Sequence, residues 1–405
     1  LGSTQYADSE IISSYEENEG GASRQQRDLN YLKELTVSLE QMPALAQTYA
    51  DVYHLWLTDL YLMGNNTSGA ATHLKQIQSK NPQVDFQKKV FELILTTQAE
   101  DIKKEETQEK IGKQFEELLN ERYQKFESQK VLYSLSSYLR HTFANKDLIH
   151  LAGLFDYFAK NKFCYYCSGF TFEYAMIAYF DQYASTTELE KLIALYTSAD
   201  KNTLEKILLK PYSSQYYFTD LLGTLYVRKG DLKKAQQVFK SIPDEFWFTF
   251  ENASYNLDSD PFNNNQELLG VQGMATYNKR EIVDKLISLE EEALRDPAKA
   301  EKNYFLLGNA WYNFTQHSWF MINYGYSAYS SYSAAEVQAQ KRASTYYKKA
   351  LTLTGNPELK AKITYMLALL ANENEKYQYA RTYEMFADTQ FYQQKNCITL
   401  RELVQ

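Results

Sequence analysis

The chain predicts an all-α fold in which helix–turn–helix units stack on one another as a solenoid. Three observations carry that expectation. The first is residues 218–243, where Leu222-Gly223 is followed three residues later by Tyr226, Gly230-Asp231 marks a turn, and Ala235 is followed four residues later by Phe239. Gly223 and Ala235 are small enough for two antiparallel helices to close on each other, and Tyr226 and Phe239 fill the flanks. This is the spacing of a tetratricopeptide (TPR) unit, whose repeat is about 34 residues and which winds into a right-handed superhelix. The second observation is that related patterns recur along the chain. The third is the scarcity of glycine (15) and proline (7) in 405 residues, as befits few turns between many helices.

In chain order, residues 1–27 are polar, with Gly20-Gly21 near their end, and read as a flexible N-terminal segment. Residues 28–212 read as a degenerate helical-repeat region. Leu29, Leu32, Leu35 and Leu39 recur at helical spacing. A second repeat candidate covers 51–82, with Leu57, Tyr61, Ala70, Leu74, Ile77 and Pro82 in register, Thr58 where glycine is usual, and residues 65–69 as the turn. Residues 100–130 form a charged helix with Glu106–Lys110 and Glu109–Lys113 at i,i+4, turning Phe115, Leu118 and Leu119 inward. Residues 131–181 hold two or three buried helices. Thr187 with Glu190, and Asn202 with Glu205, read as capping boxes, and Pro211 ends the second helix.

Residues 213–405 read as a TPR-like region. An aromatic, turn-rich stretch follows the central repeat. An amphipathic helix then spans 277–295 (Ile282, Val283, Leu286, Leu289, Ala293), and Asp296-Pro297 starts the next helix. A third repeat opens at Tyr304 with Leu307-Gly308 and Trp311. An aromatic insertion at 316–340 interrupts it before Ala343, Tyr347, Ala350 and Pro357 resume the pattern. A degenerate fourth pair covers 360–386, with Ala380 at the small position.

Composition excludes some functions. A net charge of −8 opposes phosphate-backbone binding, so no nucleic acid is expected. No apolar run approaches the roughly 18–20 residues of a spanning helix. The three cysteines give no disulfide framework, and Leu1 reads as a processed end or a boundary within a longer protein. Cys164 and Cys167 form the one CxxC, for which burial or local pairing, redox work and metal binding all stay open. His54, His73, His141, His150 and His317 are scattered, and no metal site, cofactor or catalytic constellation is expected. Asp258, Asp260 and Asn263 read as a solvated turn, and Glu290-Glu291-Glu292 as an exposed helix face.

The insertion is the candidate site. Its rings either cover a gap in the solenoid or offer an aromatic platform, and the partner-binding candidates are Trp311, Trp319, Phe320, Tyr324 and Tyr326. Long loops within compact repeats are more often functional than not.

Several runs resemble one family: Ile242-Pro243-Asp244-Glu245-Phe246-Trp247; Leu257-Asp258-Ser259-Asp260-Pro261-Phe262; Leu306-Leu307-Gly308-Asn309-Ala310-Trp311; and Phe391-Tyr392-Gln393 up to Cys397. The match covers 217–405 and is to large TPR-containing envelope lipoproteins of Bacteroidota. Members begin with a lipoprotein signal and an anchoring cysteine, neither of which follows Leu1. The resemblance implies a non-catalytic interaction scaffold in the cell envelope, periplasmic or outer-membrane associated, with a protein partner there. The alternative is a SusD-like carbohydrate-binding lipoprotein that stacks sugars on exposed rings.

Overall fold

Short polar side chains start half of the described helices by accepting a backbone N–H in the first turn. Asn66, Asn81, Ser185, Asn202, Asp231, Asn278, Asp296, Asn356, Asn372 and Thr389 all do so. A computed structural model describes residues 21–123, 128–159, 172–247, 260–263, 277–315, 321–322 and 334–395. Among the described residues every regular element is helical. The chain divides into two units, 1–215 and 216–405.

The first unit begins with α1 (Gly21–Glu40), α2 (Pro43–Thr48), α3 (Ala50–Met63) and α4 (Thr67–Leu74). The helix therefore starts at Gly21, inside the stretch expected to be flexible. The α3–α4 hairpin covers the residues of the second repeat candidate, and its turn puts Asn65 in the left-handed region (φ 54°), which asparagine tolerates. Thr58, standing where glycine was wanted, is fully buried and returns its hydroxyl to the His54 carbonyl at 2.7 Å. The close approach is made instead by Gly69 of α4, where a Cβ would lie 2.5 Å from the Tyr61 ring.

Both members of that hairpin pack on α5 (Pro82–Ala99), which packs on α6 (Glu105–Leu118). Helices α7 (Ser128–Ala144), α8 (Ile149–Ala159), α9 (Phe172–Tyr183), α10 (Thr186–Thr197) and α11 (Thr203–Leu209) complete the unit. Here the order leaves a nearest-neighbour array, because α6 packs on α11. Gly112 permits this contact, since a Cβ there would meet the Leu204 backbone nitrogen at 2.2 Å. The cap of α10 is Ser185, bonded by Glu188 N, and not Thr187; the same S-x-x-E spacing sits two residues earlier than expected. The Asn202/Glu205 capping box forms. Glu109 pairs with Lys113 at 3.1 Å as read, whereas Lys110 turns to Glu100 and Glu106 to Lys104.

The second unit contains α12 (Tyr216–Lys229), α13 (Leu232–Lys240), α14 (Asp244–Trp247), α15 (Lys279–Arg295), α16 (Pro297–Asn313), α17 (Ala334–Leu353), α18 (Pro357–Leu370), α19 (Glu373–Glu384) and α20 (Gln390–Gln394). Packing follows sequence order through α12–α13, α13–α15, α15–α16, α16–α17, α17–α18 and α18–α19. A Cβ on Gly223 would lie 2.2 Å from the Phe239 ring, and one on Gly308 would lie 2.6 Å from the Tyr347 ring. Ala235, Phe239, Ala343 and Tyr347 are fully buried. In both hairpins an aromatic stands three residues after the glycine and another four after the alanine, so the same contact is built twice. Ala380 is only half-buried in the degenerate last pair, and residues 334–340, read as insertion, belong to α17. The acidic run is not one open face: Glu290 accepts the Tyr346 hydroxyl at 2.9 Å and Glu292 holds Lys299 and Asn303, leaving Glu291 outward.

Candidate functional site

Trp311 is core. Its ring is 1% exposed, meets Phe314 edge-on at 5.3 Å, and is covered by the Arg342 guanidinium 4.7 Å from its centre. Arg342 is fixed in turn by donating to the Arg228 carbonyl at 3.0 Å, in the last turn of α12. A ring held this way is not offered to a ligand. Trp319, Phe320, Tyr324 and Tyr326 lie outside the described residues, as do Cys164, Cys167, His317 and Asp258. Asp260 does make a turn, its carboxylate accepting Phe262 N at 2.9 Å and its carbonyl accepting Asn263 N at 3.0 Å.

Two polar arrangements stand out elsewhere. Lys279 Nζ lies 3.0 Å from Asp220 and 2.9 Å from the Thr224 hydroxyl, sealed between α12 and α15. Burial pushes the Asp220 carboxyl up and the ammonium pulls it back. With both side chains closed from solvent, the pair fixes how two helices sit and has no room for a substrate. In the first unit, Glu109 accepts Thr203 N at 2.6 Å and its hydroxyl at 2.9 Å. Those bonds, led by the backbone one and aided by Lys113, hold its carboxyl down at about 2. An open cleft beside it is lined by Lys104, Glu105, Glu106, Asp200, Lys201 and Lys206, whose mixed signs favour neither anion nor cation.

The distinctive surface is apolar. Among the described residues, seven of the thirteen exposed large apolar side chains fall between residues 31 and 63: Tyr31, Leu35, Val37, Met42, Tyr49, Trp56 and Met63. Trp56 and Met63 are seven residues apart on α3, two turns, and so line up with a drift of only about 20°, while Tyr49, the cap residue just before the helix, stands seven residues ahead of Trp56. Tyr49, Trp56 and Met63 are 61%, 44% and 43% exposed. The same helix buries Tyr53, Leu57, Thr58 and Leu62 against its neighbours. It is thus apolar on more of its circumference than the fold covers, and exposed patches of this kind mark interaction sites. The spacing of 49, 56 and 63 was readable in the sequence. What it could not disclose is that this stripe stays outward.

Among the described residues no helix is long and apolar enough to cross a membrane, and no group of three His, Cys, Asp or Glu side chains is gathered as a metal set. Compared with known proteins, the chain matches no family model, no curated protein and no solved structure.

Proposed function

We propose that the chain is a non-catalytic protein–protein interaction module with TPR-like hairpins, and that the Tyr49–Trp56–Met63 stripe of α3 seats a segment of its partner. The observation that carries this reading is the stripe itself, three exposed apolar side chains at seven-residue spacing along a helix whose other face is already buried. Helix-in-groove recognition uses anchors of this kind, and Trp and Tyr are among the residue types enriched at hot spots. The TPR-like register rests on the two equivalent contacts, Gly223 with Phe239 and Gly308 with Tyr347. The cell-envelope setting, and an outer-membrane or periplasmic partner, rest on the resemblance of residues 217–405 alone. The sugar-stacking alternative gains nothing from Trp311, whose ring is covered.

The test is comparative capture from envelope membranes with wild-type chain and with a Trp56→Ser/Met63→Ser variant, both checked for equal helicity. The expected result is a specific protein recovered by the wild type and lost with the variant. Equal recovery by the two would overturn the stripe as the binding surface.

A further inference from the structure

His54 of α3 and His73 of α4 meet across their hairpin with Nδ1 atoms 3.0 Å apart. The ring centres are 5.3 Å apart, longer than the nitrogen separation by about two ring radii, so the two nitrogens face each other head-on. Lone pairs so aligned share a proton and do not converge on a metal ion. Both rings are half-buried and clamped. Tyr61 stacks on His73 at 5.5 Å and 15°, and Tyr53 meets His54 edge-on at 5.3 Å and 74°.

We propose that this pair is an acid-sensitive latch holding α4 to α3. The contact requires one Nδ1 to carry hydrogen and the other a lone pair. It therefore survives in the neutral pair and in the singly protonated pair. Once two protons have been taken from solvent, both Nδ1 atoms bear hydrogen, the bond is lost, and two imidazolium cations face each other across the hairpin.

The surrounding charges set the window. Asp51 on α3 favours charging of His54, and Glu40 at the end of α1 favours charging of His73. Burial outweighs both, and His54 further disfavours charging of His73, so both histidines are held below 6.5. Helix α2 has no ionisable side chain. On α5, Asp85 accepts the Tyr123 hydroxyl, Lys88 donates to the Ile77 carbonyl and Lys89 pairs with Glu117. Because the folded pKa values lie below the unfolded ones, the unfolded chain binds more protons in acid. The latch is therefore complete above about pH 6.5 and fails as pH falls below it.

The experiment is hydrogen exchange of residues 67–74 in the full chain from pH 7.5 to 4.5, each value divided by that of α16 at the same pH to remove the chemical pH dependence. In the wild type the ratio is expected to rise about tenfold or more as the pair charges, since one pKa unit corresponds to tenfold. In His73→Gln, whose amide cannot take the charge, it should stay level. A level wild-type ratio, or an equal rise in the variant, would overturn the latch. Proton NMR of the wild-type imidazoles is the second measurement and needs no variant. Two coupled steps below 6.5 support the proposal, and two independent titrations at the ordinary value refute it.

Discussion

Gly223→Ala separates a closed helical hairpin from a loosely stacked one, because the two arrangements predict opposite signs. In an open mid-helix position the added methyl stabilises by about 0.8–1 kcal/mol, the difference in helix propensity between alanine and glycine. In this structure the Cβ would lie 2.2, 2.6 and 2.6 Å from three atoms of the Phe239 ring. That ring is fully buried and wedged edge-on against Trp247 at 5.9 Å, so it cannot swing aside as a flexible chain end would. Overpacking of this kind costs about 1–3 kcal/mol. Setting the two against each other leaves a net loss of about 1 kcal/mol, with a range from near zero to about 2. With a urea slope of about 2–3 kcal/mol/M, the midpoint of the second unit should fall by roughly 0.3–0.5 M. The assay is urea unfolding followed by tryptophan fluorescence, fitted with a separate transition for each unit. Phe239→Leu in the same background should return part of the loss, with a coupling of about 0.5 kcal/mol or more, since the two side chains touch. If Gly223→Ala raises the midpoint, the nesting of α12 on α13 through a small residue is refuted.

Two further outcomes are expected. Lys279→Met leaves the Asp220 carboxylate buried without its cation and should cost about 3–5 kcal/mol, whereas Lys279→Met/Asp220→Leu should recover most of it; thermal unfolding of the two variants checks this, and equal losses would refute a buried pair whose desolvation offsets its attraction. Glu109, held at about 2 by its bonds to Thr203 and Lys113, contributes stability that is present above its ordinary value of 4.5 and is lost as pH falls from there toward 2. Glu109→Gln should flatten that limb in an acid titration of the first unit followed by circular dichroism, and an unchanged limb would place the acid sensitivity elsewhere.

What the sequence disclosed was local. Gly223 with Tyr226, Ala235 with Phe239, and the same pair of intervals at 308–311 and 343–347 could be read because two helices joined by a short turn choose each other as partners. The intervals then fix which side chains meet. Caps were legible for the same reason: Asn202 with Glu205 and Asp296 before Pro297 involve a single turn of backbone. Thr187 was read two residues late because Ser185 offers the same spacing, and nothing local distinguishes the two until the helix start is known. The triad Glu290-Glu291-Glu292 looked solvated because a run of like charge usually is. Tyr346, 56 residues away, made the difference.

Contacts between distant elements were illegible because an apolar face states that it will be covered without saying by what. Gly112 of α6 and Leu204 of α11 touch across 92 positions, and neither helix carries a mark that selects the other over its neighbour in sequence. The outer stripe of α3 is the inverse case. Tyr49, Trp56 and Met63 look no different from core residues on paper, and only the positions of α4 and α5 show that nothing among the described residues covers them. The histidine pair falls between. His54 and His73 lie almost equally far on either side of the turn at Gly64, so a hairpin whose turn is known brings them level, and that symmetry was in the sequence. Linear spacing hides it, because ligand pairs on one helix sit at i,i+4 whereas this pair meets by reflection across a turn. Antiparallel pairing makes that reflection the relevant geometry, so the same search applied to the hairpins at Gly230 and Asp147 is the one by which chemistry between helices can be read in a chain built of helical hairpins.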